Sequence, residues 1–518
     1  MTRATPAGAL ASHPEAGDRR ETGARPEAGV HSETGDHPVA GDRPETGDDP
    51  TVPATGVIET LTDVRSTHLD NTRDVHVYLP AGYDPLAGPY PVVWLHDGQH
   101  VFARTGLEPS WRVEETLDRL IGAGLLPPLV AVAVDNGRDS RGAEYSHHVP
   151  YPRDPRALAR GELYERFLIE ELRPLIADRY AVTEDPAATA VLGSSMGGLV
   201  SYHLAFRRPD VFGLVGVLSP FLVFVDPVTL DETPVHRRQN ARGPARIWAD
   251  IGGMEGLITV RHTRDLVDHL ITDLGYAPDR EVRFHEDPYA PHHESAWAER
   301  VGSALLHLFG DADSPLTRLR LPERIVLATG QAQASVAPVG VRADGCVYSV
   351  LGVEPTWTPL DALRALGSAR VAPVRPGVVE LAVTAGGHTA HGVVEVVEGG
   401  SDALLEVTLT TSADLPPEET VYYSGLVTTR VAAGTYHGSW RLPRGIGLGG
   451  AVGRGWRCDG LREDGTTIRD PFHHDGDRHI RLHVPAWSDP NAEQAQRIEA
   501  EIEPAGGDEA STFEEETQ

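Results

Sequence analysis

Between about residues 57 and 310 the chain alternates short, β-branched apolar runs with amphipathic stretches. The runs predict strands at 74–79, 91–95, 129–134, 189–192, 214–218, 246–249 and 281–285. The amphipathic stretches predict helices at 111–121, 163–177, 199–206, 263–274 and 295–308. In the second of these, Phe167, Ile169, Leu172, Leu175 and Ile176 recur at helical spacing. Such alternation implies an α/β fold, a mostly parallel sheet covered by helices on both faces, whose ligand site lies at the carboxyl ends of the strands.

After Asp311 helical periodicity mostly gives way to short strands separated by Gly, Pro and Asp. Residues 378–397 read as a hairpin about Gly386-Gly387, and a second β-rich block runs from about 403 to 487. The break from Glu398 to Asp402 divides this half into two small all-β sandwiches. At the other end, a six-residue period starts at His13 and stops near Asp49. It is dominated by Pro, Gly and charge, with no apolar residue at a fixed place, which excludes a β-helix and predicts disorder. The expected partition is a disordered 1–52, an α/β domain at 53–311, β-rich domains at 316–399 and 400–490, and an acidic tail at 491–518.

Charge narrows the partners. A formal net charge of −30 argues against nucleic acid or an anionic membrane, since phosphate groups are bound by Lys and Arg. Cys346 and Cys458 are too far apart in sequence to suggest a disulfide framework or a metal-binding spacing. The first ten residues lack the apolar run of a signal peptide and no stretch is long enough to span a bilayer, so a cytoplasmic location is expected.

Gly193-Ser194-Ser195-Met196-Gly197 stands between a predicted strand and a predicted helix. A strand, a sharp turn and a helix would expose the Ser195 hydroxyl, and side chains at Gly193 and Gly197 would collide with neighbouring backbone. Chance supplies about 0.3 Gly-x-Ser-x-Gly matches in such a chain, so the rest of the sequence must decide. A serine hydroxyl becomes a nucleophile when a base takes its proton, and an acid must orient that base. In the strand-turn-helix class, acid and then base follow the serine. Asp250 and Glu255 follow or end the strand at 246–249, Asp287 closes the next one, and the loop after it supplies His292 and His293. Asp250, inside its strand, suits a structural contact, and a histidine pair at a helix start also suits a cap. Two N–H donors are needed for the oxyanion: Met196, after the nucleophile, and Asp97 or Gly98, after the strand at 91–95. His96 with Asp97 lacks a third ligand and His-Glu-x-x-His spacing, so neither metal nor cofactor is expected.

Four segments carry a family resemblance: Leu95-His-Asp-Gly-Gln-His-Val-Phe102, Val134-Asp-Asn-Gly137 with Arg141, Glu144 and Tyr145, Gly193-Ser-Ser-Met-Gly-Gly198, and His292-His-Glu-Ser-Ala-Trp297. In this order, from about residue 57 to 310, they resemble the esterases of the α/β-hydrolase fold that include the esterase D, feruloyl esterase and enterochelin esterase types. The resemblance implies Ser195 as nucleophile, His292 as base, and Glu255 as acid where many relatives carry aspartate. It implies that Arg141, Glu144 and Tyr145 build a loop or cleft wall. Val421–Tyr423, Gly438-Ser-Trp440, Gly453-Arg-Gly-Trp456 and Val484-Pro-Ala-Trp487 resemble a starch-binding type of carbohydrate-binding module, with Gly425–Arg430 replacing its Asn- and Trp-rich loop. Residues 325–397 resemble a bacterial immunoglobulin-like spacer.

The expected function is a serine esterase acting on a small-molecule ester or an esterified glycan through an acyl-enzyme on Ser195. The acyl pocket is expected from the 221–242 insertion. Two other readings stay open: a glycan-binding protein with a degenerate hydrolase domain, motivated by the β-rich C-terminal half, and an acyltransferase with the same triad.

Overall fold

The computed structural model describes residues 55–103, 110–148, 159–225 and 232–488, apart from 323, 332, 401, 413, 417, 418, 445 and 455–457. The N-terminal repeat, the acidic tail and Trp456 lie outside the described residues. The chain opens with β1 (Val57–Ser66) and β2 (Asn71–Leu79), followed by β3 (Val92–His96), α1 (Val113–Gly122), β4 (Val130–Val134) and the helical segment α2 (161–179). Next come β5 (Thr189–Ser194), α3 (Met196–Arg207), β6 (Leu214–Leu218), β7 (Arg246–Gly252), α4 (Leu257–Asp268), β8 (Val282–Asp287) and α5 (Glu294–Phe309).

Strands pair in the order β1-β2-β4-β3-β5-β6-β7-β8. From β4 to β8 every pairing is parallel, while β2 and β1 add antiparallel at the edge. All strands and helices expected between residues 74 and 308 are present, the strand at 214–218 with the expected ends and the others with shifted ends. β1 escapes a pattern search because most of its side chains are exposed, which leaves no apolar period to detect.

Successive side chains of a strand face opposite ways, so strands covered on both sides must be apolar throughout. Val92 and Trp94 of β3, Val130, Val132 and Val134 of β4, and Ile247, Ala249 and Ile251 of β7 enter one core with Phe167, Leu172, Leu199 and Leu266. Val93, Leu95, Ala131, Ala133 and Trp248 enter the other, with Val113, Leu117 and Leu120 of α1 and Trp297, Val301 and Leu305 of α5. Each fully buried Val, Leu or Ile contributes about 1.5–3 kcal/mol relative to exposure, and these layers fix the strand register. They hold the carboxyl ends of β3, β5, β6, β7 and β8 in one row.

The boundary expected after residue 311 is crossed by the sheet. β9 (Leu316–Arg320), β10 (Val339–Arg342) and β11 (Val347–Ser349) extend it in the order β8-β11-β10-β9, all antiparallel, so the segment 316–349 is partly built into the α/β sheet rather than into a separate domain. An uncovered β8 would leave a row of unpaired backbone groups, and β11 covers them through Phe284 and Ser349. The hairpin at Gly386-Gly387 is present, pairing Gly377–Ala385 with His388–Val397, and Arg324–Ala328 runs parallel to its second strand. Beyond the break, Asp402–Thr411 lies between Thr435–Pro443 and Arg478–Val484. Its Leu405, Val407 and Leu409 share a core with Val421, Tyr423 and Val452 of a second sheet. Among the described residues no helix is long and apolar enough to cross a membrane.

Cys346 sits just before β11, fully buried, its thiol donating to the Ser303 carbonyl of α5. Burial pushes its pKa up to about 12, more than Arg283 nearby lowers it, so the reactive thiolate is suppressed. The peptide carrying Cys346 is therefore expected to stay unmodified by iodoacetamide at pH 8 in the folded protein and to be alkylated in guanidinium. Mass mapping checks this; rapid alkylation of the native protein would contradict the packing of β11 on α5.

Candidate active site

β5 ends at Ser194 and α3 begins at Met196, so Ser195 takes the whole turn. Its backbone lies at φ 56°, ψ −121°, a conformation L-residues avoid unless surrounding bonds impose it. Here the Ser195 N–H donates to the Leu218 carbonyl at 3.0 Å, and the Ser195 carbonyl accepts from Phe221 N–H at 3.0 Å. A Cβ on Gly193 would lie 2.5 Å from the Gly197 carbonyl carbon, so only glycine permits the turn to close. Ser194 is buried in the strand, whereas Ser195 is half-exposed.

The turn after β7 carries Glu255, whose side chain has 0% exposure. Oε1 accepts from Gly252 N–H at 2.7 Å and from the Ser219 hydroxyl at 2.6 Å. Oε2 lies 2.7 Å from His292 Nδ1, in the loop between β8 and α5. A carboxylate acceptor fixes the tautomer, putting the proton on Nδ1 and leaving Nε2 as the basic nitrogen. The His292 ring meets Trp297 edge-on at 5.0 Å and keeps 41% side-chain exposure. His293 does something else: it is the N-cap of α5, accepting from Ser295 N–H.

Behind Glu255 lies a buried group of residues that no spacing in the sequence indicates. Ser219, the residue after β6, has φ 42°, and its hydroxyl accepts from Trp297 Nε1 and Arg300 Nη2, each at 2.9 Å. Arg300 pairs with Asp250 at 3.1 Å and lies 3.6 Å from Glu255. Asp250 also accepts from Trp248 Nε1, and burial raises its pKa against the pull of Arg300. Asp250 thus makes a structural contact, and Asp287 caps its own turn through Tyr289 N–H. Among the described residues, Glu255 is the carboxylate bonded to His292, and no hydrogen bond joins the Ser195 hydroxyl to His292. Catalytic bonds of this type commonly tighten only when substrate is bound.

On the other side of Ser195, Asp97 takes the left-handed conformation at φ 58° and its N–H donates to the Tyr145 hydroxyl at 3.2 Å. Its carboxylate accepts from Arg141 Nε and Nη2 at 2.6 and 2.8 Å and from Asn136 at 2.7 Å. Burial alone would raise the Asp97 pKa, and Arg141 with Asn136 outweighs it, holding the carboxyl below its usual value. Glu144 is buried against Arg73 at 2.9 Å. The loop residues Arg141, Glu144 and Tyr145 therefore build the wall that shapes the turn at Asp97. Gly98 and Met196 each begin a helical turn, where the first N–H groups have no partner inside the helix. His96 bonds Tyr164, and burial lowers its pKa to about 3, so it is neutral. Among the described residues no group of three or more His, Cys, Asp or Glu is arranged to hold a metal ion.

A family model described as "Putative esterase" matches residues 66–308. The uncharacterized protein YbbA of Bacillus subtilis is 26% identical over 266 residues, 48% of this chain and 98% of that protein. An endo-1,4-beta-xylanase/feruloyl esterase of Xylanibacter ruminicola is 30% identical over 156 residues, 28% of this chain and 19% of the relative. The siderophore triacetylfusarinine C esterase of Aspergillus fumigatus is 26% identical over 133 residues, 26% of this chain and 44% of the relative. The chain thus spans nearly all of the first relative and less than half of the other two.

Removing one partner from a buried ion pair costs about 3–5 kcal/mol because a charge is left uncompensated. Arg300→Met removes the one cation that Asp250 and Glu255 share in these contacts. With about 2–4 °C per kcal/mol for a domain of this size, thermal melts are expected to show a midpoint lower by roughly 6–20 °C. An unchanged midpoint would contradict the role of Arg300.

Proposed function

We propose that this chain is a serine carboxylesterase with Ser195, His292 and Glu255 as its triad, a reading supported by the match of residues 66–308 to the esterase family model. The observation that carries the reading is the 2.7 Å bond between His292 Nδ1 and a Glu255 carboxylate withdrawn from solvent, at the same sheet end as the strained Ser195 turn.

Ser195 Oγ attacks the ester carbonyl carbon while His292 Nε2 takes its proton. Glu255 keeps the imidazole in the required tautomer and stabilises the imidazolium. The negative charge on the former carbonyl oxygen is received by the Met196 and Gly98 amides; one such donor is worth about 10²–10³ in rate. Of the two upstream candidates, Gly98 is preferred because the Asp97 amide already donates to Tyr145. His292 then passes its proton to the leaving alkoxide, the C–O bond breaks, and an acyl-enzyme and a free alcohol result. Water, deprotonated by His292, attacks the acyl carbon and releases the acid, returning the proton to Ser195.

The substrate class is a small-molecule ester, supported by relatives named as feruloyl and siderophore esterases. The acyl group is placed beside the start of the insertion, where Phe221 bonds the Ser195 carbonyl and meets Phe224 edge-on at 5.9 Å. The block after residue 402 is read as a β-sandwich, supported by the core that its two sheets share.

A fluorophosphonate is expected to modify the Ser195 peptide, and p-nitrophenyl acetate to give a burst of one p-nitrophenolate per chain. Ser195→Ala should lower kcat at least about ten-thousand-fold. Modification of Ser194 instead, or no modification of folded protein, would overturn the reading.

A further inference from the structure

We infer that the β region beyond residue 400 is a working part of the esterase site, positioning the acid turn and the base loop; this rests on the triad proposed above. Ile446–Leu448 and Phe472–His474 form a two-stranded antiparallel pair, with Gly447 opposite His473. This pair sits on the segments that carry Glu255 and His292. A Cβ on Gly447 would stand 2.2 Å from the Gly253 carbonyl oxygen and 3.3 Å from Met254 Sδ. One on Gly449 would stand 3.5 Å from the Met254 carbonyl. His473, across from Gly447, meets the ring of Tyr289 edge-on at 5.3 Å.

Both contacted segments are a few residues from the chemistry. Gly253 and Met254 immediately precede Glu255, and Tyr289 lies three residues before His292. The two segments are also tied to each other, because Gly253 N–H donates to the Asp287 carbonyl at 2.7 Å and Met254 N–H to the Ala290 carbonyl at 3.2 Å. The pair therefore touches both sides of the seam that sets the Glu255–His292 distance. A third tie steadies it: Gln331 Nε2 donates to the Arg444 carbonyl at 2.7 Å, just before the first strand of the pair. Gly447 is a positioning residue. Its lack of a side chain allows two backbones to approach closely, and any larger residue must push the acid turn away from its seat.

The test uses the full chain with Gly447→Val, and Gly476→Ala as a control in the same β region. Readouts are kcat and KM with p-nitrophenyl acetate, the rate of Ser195 modification by a fluorophosphonate, and the thermal midpoint. Gly447→Val is expected to lower kcat and the modification rate tenfold or more, with KM within twofold of wild type, and Gly476→Ala to match wild type. Wild-type kcat in a folded Gly447→Val protein would overturn the inference. If Gly447→Val does not fold, His473→Ala decides: a threefold or larger fall in kcat supports the inference, and unchanged kcat and KM overturn it. A wild-type protein that neither hydrolyses the ester nor takes the label would instead refute the esterase reading.

Discussion

A carboxylate with no access to water has to be surrounded by donors, and Glu255 meets that demand with groups from four different parts of the chain. Gly252 comes from the end of β7, Ser219 from just after β6, His292 from the loop after β8, and Arg300 from α5. Satisfying one side chain therefore fixes the relative positions of three strand ends and a helix. A buried ion pair is a poor source of net stability, because desolvation offsets its attraction. Its value here is geometric: Arg300 lies against both Asp250 and Glu255, which ties α5 to the end of β7 and to the turn after it.

The opposite side of the nucleophile is held by the same physics with different residues. Arg141 grips Asp97 through two nitrogens, and Arg73 pairs with the buried Glu144. These bonds pin the turn after β3 in a left-handed conformation that an aspartate does not choose unaided. Strain at Ser195, Asp97 and Ser219 is thus distributed over the three turns that face the candidate reaction centre. Each is tied to a buried hydrogen bond on a neighbouring element, which turns local strain into fixed geometry.

Much of this was legible in the sequence wherever a periodic apolar signal existed. β3 to β8 are buried on both faces, so their β-branched runs stand out, and the order of serine, acid and histidine follows from the order of those strands. β1 left no trace because it is largely solvent-exposed. The attachment of β9, β10 and β11 to β8 was equally hidden, since pairing between distant segments has no local signature. The sequence order leads to Glu255 and His292, and the structure joins them at 2.7 Å. Ser219 and Arg300 are not legible in the sequence, because neither belongs to a spaced motif. A faint signal existed for Arg300, a lone cation three residues after Trp297 on the apolar stripe of α5 that continues through Val301 and Ala304.

In the proposed function, the turn at Ser195, the amides of Met196 and Gly98, and the Glu255–His292 pair act together on one substrate carbonyl, an arrangement that an inhibitor adduct would display. A crystal structure of the protein inactivated by a phosphonate ester tests it most directly. Phosphorus is expected to be bonded to Ser195 Oγ, with a phosphoryl oxygen about 3 Å from both amides and His292 Nε2 within hydrogen-bond reach of the remaining ester oxygen. An adduct on another residue, or a phosphoryl oxygen turned away from Met196 and Gly98, would contradict it.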